Sequence, residues 1–245
     1  MNIRALTIGL GIAAAAAGIL MEASAGPGHR LGWWEFRDGF AVVRYGVYVS
    51  LAAMGVLAIG CIVAAVQRQW RPFALAAIVL VASGVAAFLP ISLRHFSGDP
   101  PPIHDISTDI DEPPLFVAVL ALRKDAPNTA AYGGPEVAAH QRRAYPDIRP
   151  LDIAAPPTET MQRAEQAARA MGWEIVAVVP AEGRIEATAR TPWFGFADDV
   201  VVRVRPRDGG SRIDVRSVSR IGRGDLGANA KRVRAYLGRL GPDRP

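Results

Sequence analysis

The chain has 245 residues, 28 Lys+Arg against 23 Asp+Glu for a formal charge of +5, half of its residues apolar, and a mean hydropathy of +0.16. High apolar content without a glycine triplet period excludes a disordered or collagen-like chain. The single Cys61, inside an apolar run, excludes an internal disulfide framework and a cysteine-based zinc site. That length accommodates one ordinary domain plus something strongly apolar.

The apolar part comes first. Residues 1–93 hold six Arg and three acids, whereas residues 94–245 hold 22 Lys+Arg and 20 Asp+Glu. Three stretches, 5–21, 45–66 and 73–93, approach or exceed the roughly 20 residues a helix needs to cross a hydrocarbon layer, and all three lack charge. In lipid every backbone polar group must be satisfied within the segment, so the runs predict helices. Ala23-Ser24-Ala25 before Gly26 also fits a secretory cleavage pattern behind Arg4. Either reading leaves 26–44 as an outer loop, 67–71 as an inner turn, and everything after Arg94 on the outer side. Arg4, Arg68 and Arg71 inside against Arg30, Arg37 and Arg44 outside give the positive-inside rule little to act on. Trp33, Trp34, Phe36, Phe40 and Trp70 border the spans and read as interfacial anchors. The expected location is therefore the cell inner membrane, multi-pass, with the C-terminal domain periplasmic and the bilayer as first partner.

Residues 94–157 carry 11 of the 19 prolines and read as a turn-dominated segment packed on the domain that follows. Two short elements fit between the prolines: 115–123, strand or helix, and 135–144, a helix with proline at its first position. The core domain is expected over 158–245. Met161, Ala164, Ala168 and Met171 share a face of a helix over 158–171 that Gly172 ends. Four strands follow, 173–179, 183–190, 200–205 and 211–219, the last two joined at Asp208-Gly209. A two-residue turn there sets Arg203 opposite Asp214, Val204 opposite Ile213 and Arg205 opposite Arg212. One face of the hairpin is then apolar and buried, the other rich in arginine. A final helix capped by Asp225 would carry Leu226, Ala230, Val233, Leu237 and Leu240 as its stripe, with Lys231, Arg232, Arg234 and Arg239 outside. The fold class is three membrane-spanning helices plus a two-layer α+β domain, an antiparallel sheet with flanking helices.

Gly32-Trp33-Trp34 between two spans, Pro102-Ile103-His104-Asp105-Ile106-Ser107-Thr108-Asp109, Met171-Gly172-Trp173-Glu174-Ile175, Trp193-Phe194-Gly195-Phe196, and Ser219-Arg220-Ile221-Gly222 followed by Asp225-Leu226-Gly227-Ala228-Asn229 carry a resemblance. The chain resembles a bacterial family named domain of unknown function 1499, over roughly residues 95–240, and its membrane part resembles the multi-span members. The resemblance implies membrane association and an envelope-facing domain, and no assigned activity. Gly224 stands where such relatives often have Ser.

Candidate chemistry is sparse. His104, Asp105, Ser107, Thr108, Asp109 and Asp111 form the densest polar cluster. A His with carboxylates suits a divalent cation, and Ser, His and Asp suit a nucleophile system; the same residues also close turns on their own backbone. Asp198 and Asp199 point to opposite faces of a strand, so pairing with arginines is expected rather than joint acid–base work. Residues 203–239 carry 11 Lys+Arg and three acids. Arg203, Arg205, Arg212, Arg216 and Arg220 either meet acidic residues from 94–202 or face an anion, for which anionic lipid or an envelope protein is the natural source and nucleic acid is not. Gly222-x-Gly224-x-x-Gly227 lacks a βαβ context and carries Asp225 where a phosphate would sit, so it is not a dinucleotide site. No motif predicts a cofactor, a metal or a catalytic residue. The leading expectation is a binding module; the alternative is a membrane-tethered hydrolase or metal-dependent enzyme using the 104–111 cluster.

Overall fold

Long uncharged runs at the start of the chain leave their backbone no partner but itself, and they fold as three helices: α1 (Ile3–Arg30), α2 (Phe36–Val66) and α3 (Trp70–Phe96). All three are long and apolar enough to cross a membrane. The structure, a computed structural model, describes residues 3–96 and 100–241, with side chains over 5–92 and 100–241. The side chains of Arg4, Leu93 and Arg94, on which the span limits were drawn, lie outside the described residues. Contacts divide the chain into a helical unit, Met1–Gly98 with Pro192–Gly195, and an α+β unit, Asp99–Thr191 with Phe196–Pro245.

In the helical unit, α1 and α2 approach closely at Gly18 and Gly46, where a Cβ on either glycine would come within 3.0 Å of the other's carbonyl oxygen. Small residues are what permit such packing between apolar helices. Beside this crossing the Ser50 hydroxyl donates to a Glu22 carboxylate oxygen at 2.9 Å, and both residues are buried. Between α1 and α2 only residues 31–35 are non-helical, so the two helices run through most of the 26–44 stretch. Ala23-Ser24-Ala25 and Pro27 lie inside α1, and Trp34 folds back on its last turns. The Trp34 indole N–H donates to Ala25 O at 2.9 Å, and its ring occupies the space a side chain at Gly28 would need. In the short segment counted with this unit, Phe194 is buried with its ring centroid 4.9 Å from that of Phe40.

The α+β unit is built on an antiparallel sheet of β1 (Asp105–Ser107), β2 (Leu151–Ile153), β3 (Glu174–Val179), β4 (Arg184–Arg190), β5 (Ala197–Arg207) and β6 (Gly210–Ser219). Its order is β1-β6-β5-β4-β3, and β2 also pairs with β6. Two three-residue strands therefore lie along the outer edge of β6, one at Arg216–Val218 and one at Ser211–Ile213. They close an edge that would otherwise present unpaired backbone groups. Neither was visible in the proline-rich segment; the expected four strands are six.

The β5–β6 hairpin has the register set by a two-residue Asp208-Gly209 turn: Arg203 opposes Asp214, Val204 opposes Ile213, and Arg205 opposes Arg212. Gly209 has φ +78°, the conformation that turn requires. On one face Ile185, Ala187, Val200, Val202, Val204, Ile213 and Val215 are buried under α5 (Pro157–Ala170) and α6 (Ala228–Leu240). The final helix differs from expectation. It begins at Ala228, while Asp225 accepts from the backbone N–H groups of Gly227 and Asn229 one turn ahead of it. Tyr236, not Leu237, is its most buried large residue, stacked on Trp173 at 4.8 Å and donating to Ala164 O at 2.8 Å. Leu226 is exposed. A stripe drawn on aliphatic residues alone misses a tyrosine whose hydroxyl has a carbonyl to reach.

The opposite face of the sheet is also covered, which corrects the expectation of one buried face. A short 3₁₀ helix, Ala118–Arg123, lies over it, and Phe116 and Val119 pack with Val201 and Val218. The eleven-residue α4 (Gly134–Ala144) supplies Gln141, whose amide pairs with both backbone polar groups of Ser107.

Candidate functional site

Alternation along the strands puts Arg184, Glu186 and Thr188 of β4, Asp199, Arg203 and Arg205 of β5, and Arg212, Asp214 and Arg216 of β6 on this second face. So many charges under cover must be paired or their desolvation would outweigh the rest of the fold. They form three groups.

At the hairpin end, Asp109 and Asp214 sit among three arginines. One Asp109 oxygen accepts from Arg203, Arg205 and Arg212 at 3.1, 3.2 and 3.0 Å. Asp214 accepts from the same three at 3.0, 3.2 and 3.1 Å. Glu112 takes a further bond from Arg205 at 3.1 Å. This is how Arg205 and Arg212 stand directly opposite one another, a pairing that is unfavourable by itself. Asp214, opposite Arg203 in the ladder, serves all three arginines. Burial opposes ionisation of Asp109, but the Glu112 N–H and the arginines outweigh it and hold its carboxyl below the usual range. A shallow depression lined by Arg205, Pro206, Arg207 and Arg212 lies beside this group. Arg207 there is bonded to Asp152 at 2.9 Å.

In the middle, Arg216 is fully buried and held by both Asp105 oxygens at 2.9 and 2.7 Å. It also donates to the carbonyls of Pro114 and Ala130, and its guanidinium lies 5.1 Å from the Phe116 ring centre and 5.3 Å from that of Tyr132. The cation thus makes four charge-assisted hydrogen bonds and has two aromatic rings beside it. Burial, with Asp105 adding to it, pushes the Tyr132 phenol up to about 12.

At the far end, Asp199 takes Arg123 at 2.6 Å, Arg220 at 2.9 and 2.8 Å, and the Thr188 hydroxyl at 2.7 Å. Burial works against its ionisation, yet these donors hold it below its ordinary value. Asp198, pointing the other way, takes Arg232 of α6 at 2.6 Å. Glu186, fully buried, accepts from the backbone N–H groups of Val117, Ala118 and Val119 at 2.9–3.1 Å and pairs with Arg184. Glu186, Arg123 and Arg184 were missed from sequence. The polar–apolar alternation of Arg184-Ile185-Glu186-Ala187-Thr188 carried the signal for β4; Arg123 carried none.

The 104–111 cluster is dispersed by these arrangements. Asp105 belongs to Arg216 and Asp109 to the hairpin arginines. The Ser107 hydroxyl donates to Asp109 O at 2.7 Å, and the Thr108 hydroxyl accepts from Val215 N at 2.9 Å. The His104 ring nitrogen Nδ1 lies 3.4 Å from Arg223 O, and Asp111 meets Arg142 at 3.1 Å on the surface. No nucleophile–base pair is assembled from them, and among the described residues no three His, Cys, Asp or Glu side chains converge as metal ligands. At the end of the glycine motif, the Asp225 carboxylate occupies the helix N–H groups a phosphate would use.

The strand that supplies Asp105 and the helix that ends at Leu240 delimit a segment matched by a known family. The family model described as "Protein of unknown function (DUF1499)" matches residues 105–240, more than half of the chain. The chain belongs to the DUF1499 family. The DUF1499 segment contains every carboxylate and arginine of the three groups above and none of the three apolar helices. No curated protein and no solved structure matches the chain.

Proposed function

We propose that this DUF1499 protein is a cell-inner-membrane protein whose α+β domain faces the periplasm and acts as a binding module of the bacterial envelope rather than as an enzyme. The observation that carries the reading is the commitment of the polar side chains. Asp105, Ser107, Asp109, Arg203, Arg205, Arg212, Arg216 and Arg220 each hold another part of the domain in place. Catalysis needs a nucleophile or acid–base group held within reach of substrate and free to react, and these groups are spent on one another. What the domain offers outward is surface, attached to three apolar helices. Its partners are the bilayer and an envelope lipid or protein. Fusions placed after Gly98 and at the C-terminus test the topology. Alkaline phosphatase should be active at both sites, and a fluorescent protein that folds only in the cytoplasm should be dark at both. The reverse pair of results overturns the periplasmic placement.

A further inference from the structure

Among the described residues of the α+β unit, five large apolar side chains are exposed: Leu115 at 74%, Val117 at 55%, Leu120 at 47%, Leu122 at 51%, and Leu226 at 55%. Four of the five lie within eight consecutive residues. The same segment turns Phe116, Val119 and Arg123 inward. It is therefore a ridge with one side sunk into the sheet's charged face and the other side aliphatic and open.

The ridge is also rigidly built. At its start the buried Glu186 carboxylate holds the N–H groups of Val117, Ala118 and Val119. At its end the buried Arg123 is locked to Asp199 at 2.6 Å and to Asn128 O at 3.0 Å. Two buried charged groups thus fix a segment whose outer side chains are Leu and Val. Contiguous exposed apolar surface of this kind marks an interaction site.

We infer that the 115–122 ridge docks on the lipid surface of the membrane that the chain itself spans. This rests on the proposed role as a membrane-anchored binding module, but not on which side of the membrane the domain lies. The first argument is the tether. Only residues 97–104 separate Phe96 of α3 from Asp105 of β1, a contour of at most about 30 Å. A bilayer is consequently always within reach, at a high effective concentration. The second argument is the chemistry of the ridge. Protein–protein hot spots favour Trp, Tyr and Arg and disfavour Leu and Val, whereas the acyl–headgroup boundary demands only apolar area. The third is charge: next to the ridge Lys124 and Asp125, both exposed, offset each other, so the contact is apolar and indifferent to salt and to anionic lipid.

The test uses the full chain reconstituted in phosphatidylcholine vesicles, with Cys61→Ser as background and Leu120→Cys carrying an environment-sensitive fluorophore. Leu122→Cys is a second ridge position; Asp208→Cys and Arg163→Cys, on the hairpin turn and on α5, are exposed controls. Nitroxide-labelled lipid should quench both ridge labels several-fold more than either control, equally at low and high salt and with or without phosphatidylglycerol. Quenching of the ridge labels by aqueous iodide to the level of the controls overturns the inference. Protection from both quenchers, with or without a disulfide-linked dimer through position 120, means a protein covers the ridge and overturns it equally. Quenching that appears only with anionic lipid and disappears at high salt overturns the apolar mode. Reversed fusion results would reject the periplasmic reading and leave this comparison intact.

Discussion

Arg216 and Asp105 meet through two parallel hydrogen bonds of 2.9 and 2.7 Å in a site where the arginine side chain has no exposed surface. They come from strands paired antiparallel, two residues apart across the ladder. Removing one partner of such a pair leaves a buried, uncompensated charge, which costs about 3–5 kcal/mol. Asp105→Asn is accordingly expected to lower the thermal stability of the full chain in detergent by that order. Arg216→Lys should fare little better, since an ammonium offers neither the planar fork nor stacking between Phe116 and Tyr132. Replacing both partners by apolar residues should recover much of the loss. A double variant as unstable as Asp105→Asn would contradict this.

Acid should unfold the domain through Asp109 and Asp199. Both carboxyls are held below their ordinary value in the fold, so each contributes stability above its unfolded pKa of about 3.9 and loses it as pH falls through the lower folded value. Melting temperature should be insensitive to these groups from neutral pH down to about pH 5 and should drop below about pH 4. Asp199→Asn should lower the plateau and flatten the acid limb. Burial raises Asp105 and Asp225, which work the other way, so the decisive comparison is with the variant: an acid limb as steep in Asp199→Asn as in the unmodified chain would exclude this account.

On α6 the burden should fall on Tyr236. Tyr236→Ala removes a buried ring stacked on Trp173, for which about 3–5 kcal/mol is expected, and Tyr236→Phe should cost about 1 kcal/mol for the lost bond to Ala164 O. Leu237→Ala should cost less than Tyr236→Ala because Leu237 is only partly buried. Arg234→Ala breaks a surface pair with Asp147 at 2.5 Å and should change stability by no more than about 1 kcal/mol. Thermal melts of the four variants give the order directly.

Between α1 and α2, Gly46→Leu should disrupt the helix crossing, because a side chain there meets Glu22 and the Gly18 backbone. Ser50→Ala removes only the bond to Glu22 and should cost no more than about 2 kcal/mol, polar contacts between membrane helices averaging about 0.6 kcal/mol. Cysteine crosslinking between α1 and α2 should survive Ser50→Ala and fail in Gly46→Leu. Equal crosslinking in both would place the crossing elsewhere.

The sequence by itself determined the features that depend on near neighbours along the chain. Uncharged runs can satisfy their backbone only as helices, so the three apolar helices were legible. Asp208-Gly209 sets a two-residue turn, and from that turn the pairing of Arg203 with Asp214 and of Arg205 with Arg212 follows by counting. Alternation then sorts Val202 and Val204 from the arginines. The family resemblance was legible for the same reason, as local strings of residues. Tertiary structure alone decided who neutralises whom. Asp105 and Asp109 reach the hairpin from about 100 residues upstream, and Arg123 finds Asp199 from within a proline-rich segment whose strands are three residues long. Elements that short have no period to read; they exist because β6 has an open edge and the charged face must be covered. The same covering turned a sheet read as one-sided into one buried on both faces, and it left Leu115, Val117, Leu120 and Leu122 on the outside.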